Sequence, residues 1–210
     1  MTPYRPLLDF WFGPGCLTRW RALGALHEPE WRPDPLADSE FQTRFGDLVD
    51  RLAGGSLEPW LAEPRSRLAY VLVADLLPRS FYRGSKQAYA FDQHALDAVE
   101  TGISLRYDRE LTPIKRAFFY MPLTHSESGA QQSSVACYRS LVDIARADTD
   151  TELQPVFETF LRSAQRHAAI IACFGRFPHR NAVLRRPATA EEQVYLADPW
   201  GYIFQSAGDS

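Results

Sequence analysis

Apolar residues recur along this chain at intervals of three and four, the period of an α-helix that turns one face inward. Phe41, Phe45, Leu48 and Leu52 keep that spacing, with Ser39 as an N-cap and Gly54-Gly55 as the stop. Leu68, Val71, Leu72 and Asp75 share the face of a second helix, which Pro78 is expected to end or kink. Ser85 is expected to cap a third, carrying the stripe Phe91, Ala95 and Val99 as far as Gly102. Thr112 followed by Pro113 is a helix start, with Ile114, Ala117 and Phe118 running on to Pro122. Another helix is predicted from about Glu127 to Ala147, with Val135, Tyr138 and Val142 inward, before a polar loop at "RADTDTE". Phe157, Phe160, Leu161, Ala164, Ala168 and Ile171 then mark the longest apolar stripe, which stops at Gly175. Thr189 and Glu192 have the spacing of a capping box for a last short helix.

No stretch alternates apolar and polar residues as a strand would, and no glycine-rich turn joins a strand to a helix. The pattern predicts an all-α fold, one helical domain over residues 1–210 with helices joined by short Pro/Gly loops. "LLPRSFYRG" and "FGRFPHRNAVLRR" resemble each other loosely, as members of a divergent helix-pair repeat do, without a fixed period.

Composition narrows the function classes. A formal charge of -3 gives no global attraction to nucleic acid or anionic membranes. No apolar run approaches the roughly 20 residues of a membrane span, and "MTPYRPLLDFWFG" lacks the layout of a signal peptide. The expected location is therefore the cytoplasm. Cys16, Cys137 and Cys173 form no metal-binding spacing and read as reduced, buried thiols. Aromatic residues make up 13%, enough to build a core of large rings or to line a pocket.

Three blocks concentrate polar chemistry. In "DLLPRSFYRG", Asp75 sits on an apolar face and requires a partner, which Arg79 one turn on can supply. Arg79 and Arg83 either present planar donors to an anion or lock the helix end. In "FFYMPLTHSES", His125 and Glu127 follow a proline break and have the chemistry of an acid/base pair, while Ser126 equally suits an N-cap. In "FGRFPHRN", Gly175 and Pro178 are helix-stop residues. They leave Arg176, His179, Arg180 and Asn181 as more polarity than a stop requires. His167 lies on the inward face two turns earlier. The histidines and Glu127 carry metal-ligating atoms, but the HExxH spacing is absent, so neither metal nor cofactor is expected.

These blocks resemble a bacterial family known as domain of unknown function nine-two-four, grouped with tetratricopeptide-like helical folds. The likeness runs from "LLDFWFG" through "LPRSFYRG" and "FFYMPLTHSE" to "FGRFPHRNAVLRR" and "TAEE". The family pattern in the first block reads Asp-Gln-Phe-Pro-Arg-Asn, so Leu76 and Ser80 depart from it here. The resemblance implies antiparallel helix pairs and no established activity. The residues lead to an expected small-molecule site for an anionic ligand. Arg79, Arg83, Arg176 and Arg180 would hold the anion, Gln131 and Asn181 orient it, His125 and Glu127 move protons, and His167 and His179 support them. The rival expectation is an interaction module that clasps an acidic peptide segment in a concave groove.

Overall fold

A computed structural model of the chain describes residues 3–13, 35–149 and 152–198, with side chains in 35–41 set aside. Expectations resting on Cys16 and on the Phe41 side chain lie outside that range; a helix spans Pro35–Ala53, so Ser39 stands inside it rather than at its N-cap, and Cys173 is exposed rather than buried. Every regular element among the described residues is helical. The α-helices are α1 (Arg5–Phe12), α2 (Pro35–Ala53), α3 (Pro64–Val71), α4 (Leu77–Phe81) and α5 (Asp92–Ser104). They continue with α6 (Pro113–Phe119), α7 (Met121–His125), α8 (Gln131–Ala147), α9 (Gln154–Phe174) and α10 (Ala190–Ala197). Short 3-10 turns occupy Glu58–Ala62, Lys86–Tyr89, Tyr107–Glu110 and Pro178–Arg180.

The central rod is α3 and α4, joined by a π-helical turn at Leu72–Leu76. Every residue from Leu68 to Leu77 is buried, so this rod is apolar on all sides except at Asp75. α2, α5 and the 3-10 turn Glu58–Ala62 pack around it. Pro78 does not end the helix. It stands in the first turn of α4, where proline's missing N–H costs least, and the wider π turn carries the chain across the junction.

α8 and α9 form the most extensively packed pair, an antiparallel hairpin with Tyr138 stacked flat on Phe160 at 5.4 Å. The Phe160 edge also meets Phe118, continuing a run of rings through Trp11 and Phe12. α9 ends as its pattern predicts, with Gly175 at φ 67, the left-handed conformation that glycine adopts without strain. Gly102 behaves differently from its expected role as a stop. α5 runs through it, because a Cβ there would lie 2.6 Å from Phe119 Cζ and 2.9 Å from Arg67 Cδ. The glycine permits that close crossing. A small second cluster, Ile170, Phe177 and Tyr195, seats the C-terminal segment on the end of α9.

Candidate functional site

Asp75 anchors the site. It projects from the π turn, is 1% exposed, and faces Arg79 at 2.9 Å, one turn along the same rod. The His125 Nδ1 approaches the same carboxylate at 2.8 Å from the last residue of α7. Burial alone would raise the Asp75 pKa. Arg79, His125 and Arg180 outweigh it and hold the carboxyl below its ordinary value. An ionised carboxylate only accepts hydrogen bonds, so Nδ1 of a neutral His125 carries the proton and donates it. Nε2 is left as the lone-pair nitrogen on a side chain that is 17% exposed.

The arginines extend this centre to α5. Arg79 lies 2.9 Å from Asp92 Oδ1, close but not aligned as a hydrogen bond, and Arg180 donates to Asp92 Oδ2 at 3.0 Å. Arg180 also donates to the His125 carbonyl at 2.8 Å, and its guanidinium lies 4.5 Å from the ring centres of both Tyr89 and Phe177. Two arginines thus meet two aspartates, and the cluster carries no net charge while His125 is neutral. An anion at Arg79 or Arg180 would have to displace Asp75 or Asp92. Arg83, in the turn after α4, is exposed.

Glu127 belongs to a second network. The Ser126–Gly129 turn, with Gly129 at φ 89, comes before α8, so Glu127 lies outside the helix predicted for it. Ser126 caps nothing at α8; its Oγ accepts from Ser128 N at 3.0 Å. Glu127 instead accepts from Phe177 N at 2.7 Å and from Arg186 at 2.7 and 3.1 Å. Burial opposes its charge, but Arg186, Phe177 N and Arg180 hold its pKa below the usual carboxylate range. Arg186 Nε donates to Asn181 Oδ1, Asn181 Nδ2 donates to Glu192, and Arg176 donates to both Glu192 oxygens. Glu192 also closes the expected capping box with Thr189. Arg176, Asn181 and Glu127 are therefore spent on tying residues 176–192 to the helical body. Gln131 is buried, donates to the Ser126 carbonyl, and has its Oε1 without a hydrogen bond.

Two imidazoles pack against Phe177, and a third, His125, lies against one of them. His125 and His167 lie 6.2 Å apart by ring centres, His167 and Phe177 5.4 Å, and Phe177 and His179 5.5 Å. His167 turns Nδ1 to the Ser163 carbonyl at 2.8 Å, a bond within its own helix. His179 reaches the surface, yet the surrounding protein, Arg180 and His167 push its pKa down to about 4, so it is neutral at pH 7. Among the described residues no cluster of three or more His, Cys, Asp or Glu is placed to hold a metal ion.

The three polar blocks therefore contribute Asp75, Arg79, His125 and Arg180 to one cluster. Asp92, Tyr89 and Arg186 were not singled out by their spacing. The available signal for Asp92 was bookkeeping of charge: Arg79 and Arg180 beside the single Asp75 leave a carboxylate to be found.

Residues 7–200 match the family described as "Bacterial protein of unknown function (DUF924)". The chain belongs to this family. A solved structure of a protein of unknown function from Agrobacterium tumefaciens is similar to it, at 31% identity and a TM-score of 0.63. The match covers 86% of this chain and 94% of that one. No curated protein matches. Membership of the DUF924 family agrees with the all-helical fold and assigns no reaction. Among the described residues no helix is long and apolar enough to cross a membrane.

Proposed function

We propose that this chain carries a small-molecule site at His125, where the imidazole acts as a proton acceptor. The observation that supports it is the Asp75–His125 pair. A buried carboxylate fixes the ring through Nδ1 at 2.8 Å and leaves Nε2 for a ligand. Arg180 holds the backbone of the same residue, so ring and main chain are both positioned before any ligand arrives. Neutral His179 and the His167 ring both pack against Phe177 and would supply further polar contacts.

The ligand class is a small polar molecule with an acidic X–H group. Its proton passes to Nε2, and the imidazolium so formed lies against Asp75; the electron pair stays on the ligand as an anion. In this reading Arg79 and Arg180 are positioning residues. They hold Asp75, Asp92 and the His125 backbone, and Arg176, Asn181 and Glu127 hold the segment that carries Arg180.

The test uses a panel of small hydroxy acids and phosphate esters in deuterated water. Ligand-induced change in melting temperature and deuterium uptake by the ligand are read for wild type and His125→Ala. A ligand response present in wild type and lost in His125→Ala is the expected result. Identical responses in both proteins would overturn the assignment. Because the readout is the change caused by ligand, a lower starting stability of the variant does not mimic the effect.

A further inference from the structure

A cleft of about 480 Å³, lined by Lys86, Gln87, Val183, Leu184 and Arg185, shares no lining residue with the His125 cluster. Its size falls within the range of small-molecule pockets. One wall is the 3-10 turn Lys86–Tyr89 and the other is the turn that follows Arg180. The side chains of its lining take no part in the hydrogen bonds of the two polar networks.

Its cations stand apart from the other arginines of this region. Arg79, Arg176, Arg180 and Arg186 each face a carboxylate within hydrogen-bonding distance. Lys86 and Arg185 are exposed, and no carboxylate of the described residues forms an ion pair with either. Arg185 is also one of few non-glycine residues in the left-handed region, at φ 54. That conformation is uncommon for a side-chain-bearing residue and persists only where its surroundings enforce it. The enforcement is visible one residue on. Arg186 N donates to the Asn181 carbonyl at 2.8 Å, and the Arg186 guanidinium is held by Glu127, Asn181 and the Phe177 carbonyl. Adjacent arginines thus divide their roles: Arg186 locks the turn, and the locked turn sets Arg185 beside Lys86.

We infer that this cleft binds a small organic oxyanion, a phosphate or carboxylate on a short apolar stem. Lys86 and Arg185 take the charged head, Arg185 through its planar donors, and Gln87 adds a neutral donor. Val183 and Leu184 cover the stem. The site is independent of the proton acceptor at His125.

Calorimetric titration of the full chain with butyl phosphate and butyrate tests this, with butanol as the uncharged control. One or both anions bind and butanol does not, with affinity falling as salt rises. Lys86→Ala and Arg185→Gly each weaken binding by about tenfold or more. Arg185→Gly removes the side chain from a left-handed position, so the variant melts no lower than wild type. A loss of binding at undiminished stability assigns the loss to the guanidinium. His125→Ala leaves this binding unchanged, which separates the result from the fate of the His125 reading. Absence of binding by both anions up to about 10 mM, or equal binding by both cleft variants and wild type, would overturn the inference.

Discussion

Replacing Asp75 by Asn keeps the shape of the side chain and removes its charge. The carboxylate is almost wholly buried and faces Arg79 at 2.9 Å and His125 at 2.8 Å. Breaking a buried ion pair by removing one partner costs about 3–5 kcal/mol, because the other charge is left uncompensated. Arg79 retains Asp92 at 2.9 Å and is 16% exposed, which places the cost at the low end, about 3 kcal/mol. For a chain of this length that corresponds to a fall in Tm of about 6–12 °C. Urea unfolding at pH 7, followed by far-ultraviolet circular dichroism, measures it. The pH dependence supplies a second check. The folded carboxyl titrates below its ordinary value of 3.8, so its stabilisation is complete above that value and is lost as pH falls through the lowered one. The gap between wild type and Asp75→Asn therefore narrows in acid. A loss under about 1 kcal/mol at pH 7, the scale of an exposed pair, would refute the account of Asp75 as the buried anchor of the cluster.

Two further expectations test the frame around the site. Gly102→Ala gains about 1 kcal/mol of helix propensity but sets a Cβ against Phe119 and Arg67. Phe119 is fully buried and Arg67 is tied to the Ala98 carbonyl, so overpacking prevails and the variant loses about 1–2 kcal/mol; a neutral or stabilised variant in urea unfolding would contradict that crossing. Glu192 is held down to about 2, from an ordinary 4.5, chiefly by Arg176, with Thr189 N and Asn181 adding to it. Wild type therefore keeps this stabilisation above pH 4.5 and loses it as pH falls toward about 2. Glu192→Gln lacks it at pH 7 and shows a flatter profile of Tm against pH across that window; parallel profiles would remove the Arg176–Glu192 pair from the account.

Helices were legible where large apolar residues carried the period. The α9 stripe, its stop at Gly175 and the Thr189–Glu192 box all stand in the structure as the spacing predicts, because each depends on residues within a turn of one another. Gly102 was misread as a stop, and Pro78, expected to end or kink its helix, stands in the first turn of α4 just after the π turn. Local rules treat glycine and proline as stops, whereas here Phe119 and the π turn decide what they do. In the site, the residue types were visible and the pairings were not. His125 and Glu127 are two residues apart and serve different networks, one pairing with Asp75 and the other with Arg186. Arg180 pairs with Asp92, 88 positions earlier. No spacing rule spans that distance, so charges expected to meet a ligand turn out to meet each other.

The π turn at Leu72–Leu76 has a consequence for how this site can change. An α-helix advances about 100° per residue, and a π turn winds one residue of slack into an otherwise regular rod. Deleting a single residue between Leu72 and Leu76 would take up that slack and leave Pro78 inside a continuous rod, where proline costs about 3 kcal/mol. Both flanks would keep roughly their bearing, Arg79 still toward Asp92, and the change would fall on the residues of the turn itself, Asp75 among them. The placing of Asp75 on the rod is set by a count of residues. No point substitution reproduces a change of count, so the indel is the step by which a chain of this fold would gain or lose the π turn that carries Asp75.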